Sequence, residues 1–259
     1  MKNLRTYKPW VVQLLGNRRM GKSHLCNHIV RKMSHEFDLF ISFMGSKHCN
    51  PELHTFMEER GFEDFQFNHW DNDLMTRLEA QQIELIKQGR VRNVLVLIDD
   101  ITLSYNDREK LAHLCVRGRH FHVSVMMLSV SYSTFHKSCR RSCDVLFMFS
   151  IGCQSDRELL LSEFSQRKSQ AEFYMKQITK EPYTCAVLDM NEKQQEVYWY
   201  RAPKATRASL GPQSRTSRPP RGAHKTPASD VCSGSTPSGN PSGGEPDATR
   251  AGTPPSSVS

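Results

Sequence analysis

An α/β fold, in which a mainly parallel sheet carries helices on both faces, is predicted by three observations on this 259-residue chain. Short apolar runs, β-branched at their centres, alternate with segments whose apolar residues recur at helical spacing, the pattern of strand–helix–strand units. The first such run stops at a glycine, and after a tight turn a second glycine opens a helix. The third observation is compositional. From Ala202 onward there is no Phe, Trp, Tyr, Ile or Met, while ten of the 13 prolines and half of the 14 glycines fall there. Such a segment buries too little apolar surface to offset the ordering of its backbone. The expectation is a folded domain over residues 1–201 and a disordered Pro/Ser/Gly-rich basic tail over residues 202–259.

Taken in order, Trp10–Leu15 is short and apolar, which suits a strand buried on both faces. Lys22–Ser34 places Leu25, Ile29 and Met33 on one helical stripe. Leu39–Phe43 reads as the second strand. Pro51–Arg60 and Asn72–Gln88 read as helices, the latter stopped by Gly89. Asn93–Ile98 is the strongest strand signal and runs directly into Asp99-Asp100. A helix near Asp107–Val116, a strand at Val123–Leu128, a short basic segment at Lys137–Arg141 and a strand at Val145–Phe149 follow. A helical stretch between Asp156 and Thr179 and two strands, Thr184–Leu188 and Glu196–Tyr200, complete the domain.

Composition excludes several classes. A membrane-spanning helix needs about 18 apolar residues, and the longest runs, near Val94–Ile98 and Val125–Leu128, are far shorter. The first residues lack the apolar core of a signal peptide. Eight scattered cysteines do not form the dense framework of a small secreted domain, so they read as reduced thiols of an intracellular protein. The net charge is +8, of which residues 201–259 contribute +5 through eight Lys/Arg against three Asp/Glu, leaving +3 for the remainder. That excess permits an anionic partner without requiring one.

The chemistry concentrates in Gly16-Asn17-Arg18-Arg19-Met20-Gly21-Lys22-Ser23, which matches G-x-x-x-x-G-K-[ST] between a strand and a helix. The glycines allow a tight turn and close approach to a polyphosphate, the amides at the helix start point at its oxygens, and the helix dipole favours the anion. These eight residues, with His24 after them, form the expected nucleotide-binding set. Lys22 adds a charge at the β- and γ-phosphates of ATP, and the Ser23 hydroxyl ligates Mg²⁺. Arg18 and Arg19 lie where they could touch phosphate or nucleic acid, or remain solvated at the loop tip. Asp99-Asp100 ends a strand, and in doubly wound folds ligands gather at the carboxyl ends of the strands. Asp99 is the candidate to orient the metal, directly or through water, and Asp100 to polarise the attacking water.

The phosphate loop, the Val94–Asp100 strand and Arg117-Gly-Arg-His-Phe-His-Val-Ser-Val-Met-Met-Leu-Ser-Val-Ser-Tyr132 together resemble the genome-packaging ATPases of large DNA viruses. The poxvirus and Polinton-type enzymes of that family belong to the FtsK–HerA branch of P-loop motors, and the likeness covers about Trp10–Tyr200. It implies a RecA/FtsK-like fold and ATP hydrolysis. It also implies a homo-oligomeric ring that drives double-stranded DNA into a capsid, with capsid or portal proteins as partners inside the infected cell.

The family pattern ends the strand after the double Asp with a polar residue, usually Gln, that senses the γ-phosphate. Val130 occupies that place, and a valine cannot hydrogen-bond to phosphate. Ser129 and Ser131 flank it as substitutes of shorter reach. A ring ATPase also needs a cation delivered across the subunit interface; Arg117, Arg119, Arg140 and Arg141 are the candidates, with Arg119 and Arg141 standing for the two pairs. His24/His28 and His136/Cys139/Cys143 have spacings a zinc ion could use, but neither completes a recognised ligand pattern. The basic, proline-rich stretch Ser217–Lys225 is open to two readings, a DNA contact or a solvating linker. The other classes left open are a nucleotide-binding switch or small-molecule kinase and a non-catalytic nucleotide- or DNA-binding scaffold. The N-K-x-D segment of Ras-type GTPases is missing, and no arginine-rich kinase lid stands out.

Overall fold

In the computed structural model the described residues are 8–46, 50–163, 172, 177, 180–191 and 197–201. They all lie within the unit Met1–Arg207. The tail expected over 202–259 and most of the helical stretch expected beyond Glu163 lie outside the described residues.

The elements run β1 (Val11–Leu15), α1 (Lys22–Met33), β2 (Leu39–Met44), α2 (Pro51–Glu59), β3 (Gln66–Phe67), α3 (Asn72–Lys87), β4 (Val94–Asp99), α4 (Tyr105–Arg117), β5 (Val123–Ser129), α5 (Lys137–Arg141), β6 (Val145–Met148), α6 (Gln154–Glu163), β7 (Thr184–Asp189) and β8 (Val197–Arg201). The eight strands form one sheet in the order β3-β2-β4-β5-β1-β6-β7-β8. Strands β1 to β6 pair in parallel, whereas β7 joins β6 and β8 joins β7 antiparallel.

Every residue of β1, β4 and β5 is buried, because helices cover both sides of the sheet. Alternation along the strands divides the side chains between two cores. Val12, Leu14, Leu95, Leu97, Met126 and Leu128 face α1 and α2 through Leu25, Ile29, Met33, Leu53 and Phe56. Val11, Val94, Val96, Ile98, Val125 and Met127 face α3, α4 and α5 through Met75, Leu78, Leu111, Cys115 and Cys139. Further along that second side, α6 packs Leu160 against Leu146, Met148 and Ala186.

Three features depart from the sequence expectation. The basic segment Lys137–Arg141 is a helix, because Cys139 is wholly buried and His136 Nδ1 accepts from the Ser138 amide. The two-residue strand β3 extends the sheet edge beyond β2 with a periodicity too short to read. The last two strands break the parallel pattern: β7 returns antiparallel to β6 after α6, and β8, the next strand in the chain, pairs antiparallel with β7. Among the described residues no helix is long and apolar enough to cross a membrane.

Candidate active site

The carboxyl ends of β1, β4 and β5 meet at the phosphate loop. Gly16 leaves β1 with φ 151°, and its amide donates to Ser129 O at 3.2 Å. A Cβ on Gly16 would lie 2.5 Å from Phe149 Cβ, so only glycine fits between the loop and the end of β6. The next residue straps the loop down: the Asn17 amide donates to Ser150 O at 2.7 Å, and Gly152 N donates to Asn17 Oδ1 at 3.0 Å. Arg18 and Arg19 form the exposed tip, with Arg19 in the left-handed region at φ 63°. The turn closes at Gly21, also left-handed at φ 106°, and α1 begins without a side-chain cap and without an acidic residue in its first turn.

That bare start contrasts with the neighbouring helices. Asn50 caps α2, Asp71 caps α3, and Ser104 with Asp107 forms a reciprocal capping box on α4. Capping satisfies amides that an anion would otherwise bind. The first amides of α1 are thus kept as donors, under the positive end of the helix dipole. Lys22 sits within the turn, its ammonium donating to Gly16 O at 2.7 Å and Asn17 O at 3.0 Å. Ser23 and His24 follow it, half-buried, on the first turn of the helix.

Asp99 closes β4 opposite Leu128 of β5, while Leu15 of β1 lies opposite Ser129. One strand therefore separates the double Asp from the phosphate loop, a spacing of about 10 Å between the outer strands. Asp99 continues the Leu95–Leu97 alternation and points to the face covered by α1. Burial, and then the neighbouring Asp100, push its carboxyl up to about 6, partly countered by Lys22. Burial lowers the Lys22 pKa, while Asp99 and Asp100 hold it up and Arg18 adds to the lowering. These mutual effects place the loop lysine and both carboxylates in one electrostatic neighbourhood. Asp100 is exposed and left-handed at φ 51°, against the backbone of Gly45, where a Cβ would come within 2.8 Å of Asp100 O.

The remaining candidates are placed differently. Val130, at the position to which the sequence pattern assigns the phosphate sensor, is 38% exposed at the sheet end. Ser129 is buried on the opposite alternation, and among the described residues its hydroxyl has no hydrogen-bond partner. The Ser131 hydroxyl is 2.8 Å from that of Ser133. Arg119 lies at the other end of the sheet, paired with Asp144, which precedes β6; in its own subunit it does not reach the phosphate loop. Arg140 is committed to Glu163 at 2.8 Å and Phe135 O at 2.7 Å. Arg117 lies 3.2 Å from His113 and packs on the Phe121 ring. Arg141 is exposed on α5, and among the described residues it forms no hydrogen bond or ion pair. No cluster of three or more His, Cys, Asp or Glu side chains suited to a metal occurs among the described residues.

This arrangement can hold a polyphosphate at one end and polarise water at the other. A family model, "Poxvirus A32 protein", matches residues 2–182. The chain belongs to the poxvirus A32 protein family. The match bears out the resemblance to the poxvirus-type family, and the protein is an ATPase. No curated protein matches it, but solved structures share its fold. The DNA-packaging ATPase B204 of Sulfolobus turreted icosahedral virus is 15% identical, with a TM-score of 0.54, over 76% of this chain and 98% of its own. B204 of Sulfolobus turreted icosahedral virus 2, in complex with ATP-gammaS, is 15% identical with a TM-score of 0.51 over 74% and 97%. The cytoplasmic domain of the type VII secretion ATPase EccC of Thermomonospora curvata is 10% identical with a TM-score of 0.52 over 74% and 25%.

Sequence reasoning found the loop and the double Asp but missed the elements that hold them. The Asn17–Gly152 strap and the Asp144 cluster join residues more than a hundred positions apart, which no local pattern reveals. Tyr183 was also missed. Its amide donates to Met20 O in the phosphate loop at 2.8 Å.

Proposed function

We propose that the protein is a double-stranded DNA translocase, driven by ATP hydrolysis, that packages a viral or virus-like genome into a capsid. One observation carries the reading: a helix start left uncapped, with its lysine in the field of two strand-end carboxylates. The packaging activity named for B204 supports the choice of DNA as substrate. The expected setting is a homo-oligomeric ring in the infected cell, with capsid or portal proteins as partners.

A bound triphosphate takes the amides of residues 18–24 and the Lys22 ammonium in place of the carbonyls of Gly16 and Asn17. Ser23 and Asp99 are hard oxygen donors fit for Mg²⁺: among the described residues the buried Asp99 carboxylate has no hydrogen-bonded cation, and its raised pKa shows an ionised form that an incoming cation would stabilise. When bound, the ion neutralises charge that develops on the β- and γ-oxygens. Asp100, exposed at the strand tip, orients the attacking water and draws its proton. Its side chain is one methylene shorter than the glutamate used by many ATPases, which predicts slow turnover until a neighbouring subunit completes the site. Arg141 is the candidate for that completion, since Arg119 and Arg140 are occupied within their own subunit.

Steady-state ATPase assays with and without duplex DNA test this. Stimulation by DNA that vanishes in Lys22→Ala supports the translocase. Turnover that requires a small-molecule acceptor would mean a kinase. Tight nucleotide binding with no turnover would mean a scaffold, the outcome that Val130 at the sensor position favours.

A further inference from the structure

Tyr183 combines two properties that core packing does not account for. Its backbone is left-handed at φ 65°, an uncommon and strained conformation for a bulky residue. The residue is 43% exposed, so the strain is not offset by full burial. Strain of this kind persists where the surroundings impose it, and here the phosphate loop does. The Tyr183 amide donates to Met20 O at 2.8 Å. The ring meets His24 edge-on, with centroids 5.6 Å apart and planes at 83°. It also lies over Gly21, where a Cβ would come within 2.8 Å of Tyr183 Cδ1. The strand that follows, β7, thereby delivers an aromatic face to the start of α1.

The direction of a bound nucleotide follows from the sheet order. Lys22 feels Asp99 and Asp100, so the γ-phosphate end faces β4. Strand β1 lies between β4 and β7, in the sequence β4-β5-β1-β6-β7. The α-phosphate and the nucleoside therefore leave the loop past His24, toward the β6–β7 side. Among the described residues Tyr183 is the half-exposed aromatic ring that touches the loop there.

We infer that the Tyr183 ring is the platform on which the base of the bound nucleoside triphosphate stacks. The inference rests on reading the loop as the nucleotide site and adds the nucleoside half of that site. Stacking accepts any base, because every base has a π-face. Tyr183 thus supplies affinity for a nucleoside triphosphate over bare polyphosphate, and little choice among bases.

Binding of a non-hydrolysable ATP analogue and of inorganic tripolyphosphate, measured by calorimetry on the full chain, tests this. Tyr183→Gly removes the ring but suits the left-handed backbone and keeps the bond to Met20 O. Tyr183→Asn does the same with a residue that tolerates that region, and Tyr183→Phe keeps the ring. The Gly and Asn variants are expected to bind the analogue about tenfold more weakly or worse, with tripolyphosphate affinity unchanged, while the Phe variant matches the wild type. Unchanged analogue binding in the Gly and Asn variants would overturn the inference, as would equal losses for both ligands, which would make the ring a mere brace for the loop. A wild-type chain that binds tripolyphosphate and the analogue equally well would overturn it while leaving the phosphate site intact. Failure of the wild type to bind either would overturn the nucleotide reading itself.

Discussion

At the amino end of the parallel strands, Asp144 is buried and saturated. One oxygen accepts from the Val11 amide at 2.7 Å, and the other from Asn191 at 2.9 Å and from Arg119. At the carboxyl end, Asp99 is 7% exposed and among the described residues has no hydrogen-bonded cation. The helix start beside it has no cap, and Asp100, Arg19 and Gly21 all sit at positive φ. The same sheet thus carries one buried carboxylate completed by the protein and one left for a ligand to complete. The first arrangement fixes where strands begin; the second keeps polar groups and strain ready for chemistry.

The largest effects should separate these ends by kind. Lys22→Ala is expected to lower the ATPase rate by about 10²–10³-fold, as for loss of one transition-state donor, with folding stability changed by less than about 1 kcal/mol. Asp144→Ala strands the Val11 amide and the Arg119 charge, so urea unfolding should show a loss of about 3 kcal/mol. Equal damage to stability from both variants would erase the contrast.

Asp99→Asn should be destructive for activity and favourable for stability. The Asp99 carboxyl titrates at about 6 in the folded chain against 3.8 unfolded, so folding favours its protonated form. The stability this gives is full below about pH 4 and disappears as pH rises through about 6. The asparagine variant lacks that dependence. Without nucleotide it should match the wild type near pH 4 and exceed it above pH 7, by up to about 3 kcal/mol at 1.36 kcal/mol per pH unit. Melting curves across that range check this; a less stable variant at pH 7.5 would mean that Asp99 is already paired.

The arginines sharpen the comparison further. Arg119→Ala should cost about 1–2 kcal/mol of stability, since its guanidinium is half-exposed while Asp144 keeps its other donors. Arg141→Ala should leave stability unchanged yet lower turnover, and mixing it with Lys22→Ala should restore part of the activity if the arginine acts across a subunit interface. No recovery on mixing, with turnover still lost, would place Arg141 in its own subunit's site.

The legible parts of this molecule were those with local signatures. Strand and helix types followed from periodicity because β1, β4 and β5 are buried on both faces and therefore apolar throughout. The loop was legible because glycine spacing and the lysine are themselves the chemistry. What stayed hidden depends on partners distant in sequence: Arg119 reads as a free cation until Asp144 is seen beside it, and the serines flanking Val130 read as sensors until Ser129 is found buried. Backbone strain at Asp100 and Tyr183 leaves no trace in composition, since neither residue is the glycine that positive φ ordinarily selects.

The smallest effect tests whether strain at the carboxyl end serves the site. Asp100 is held at φ 51°, a region that aspartate tolerates better than most residues but glycine occupies freely. Asp100→Gly should relieve that cost and also remove a like charge from beside Asp99, so the nucleotide-free chain should gain about 0.5–1 kcal/mol. Turnover should fall with the lost carboxylate, while ATP binding at the phosphate loop persists. Asp100→Asn separates the two contributions: it keeps the backbone preference and loses the charge, so it should lose turnover equally but gain less stability. If Asp100→Gly instead destabilises the chain, the left-handed turn is favourable as it stands, held by the fit against Gly45. The carboxyl end would then owe its reactivity to unpaired charge alone.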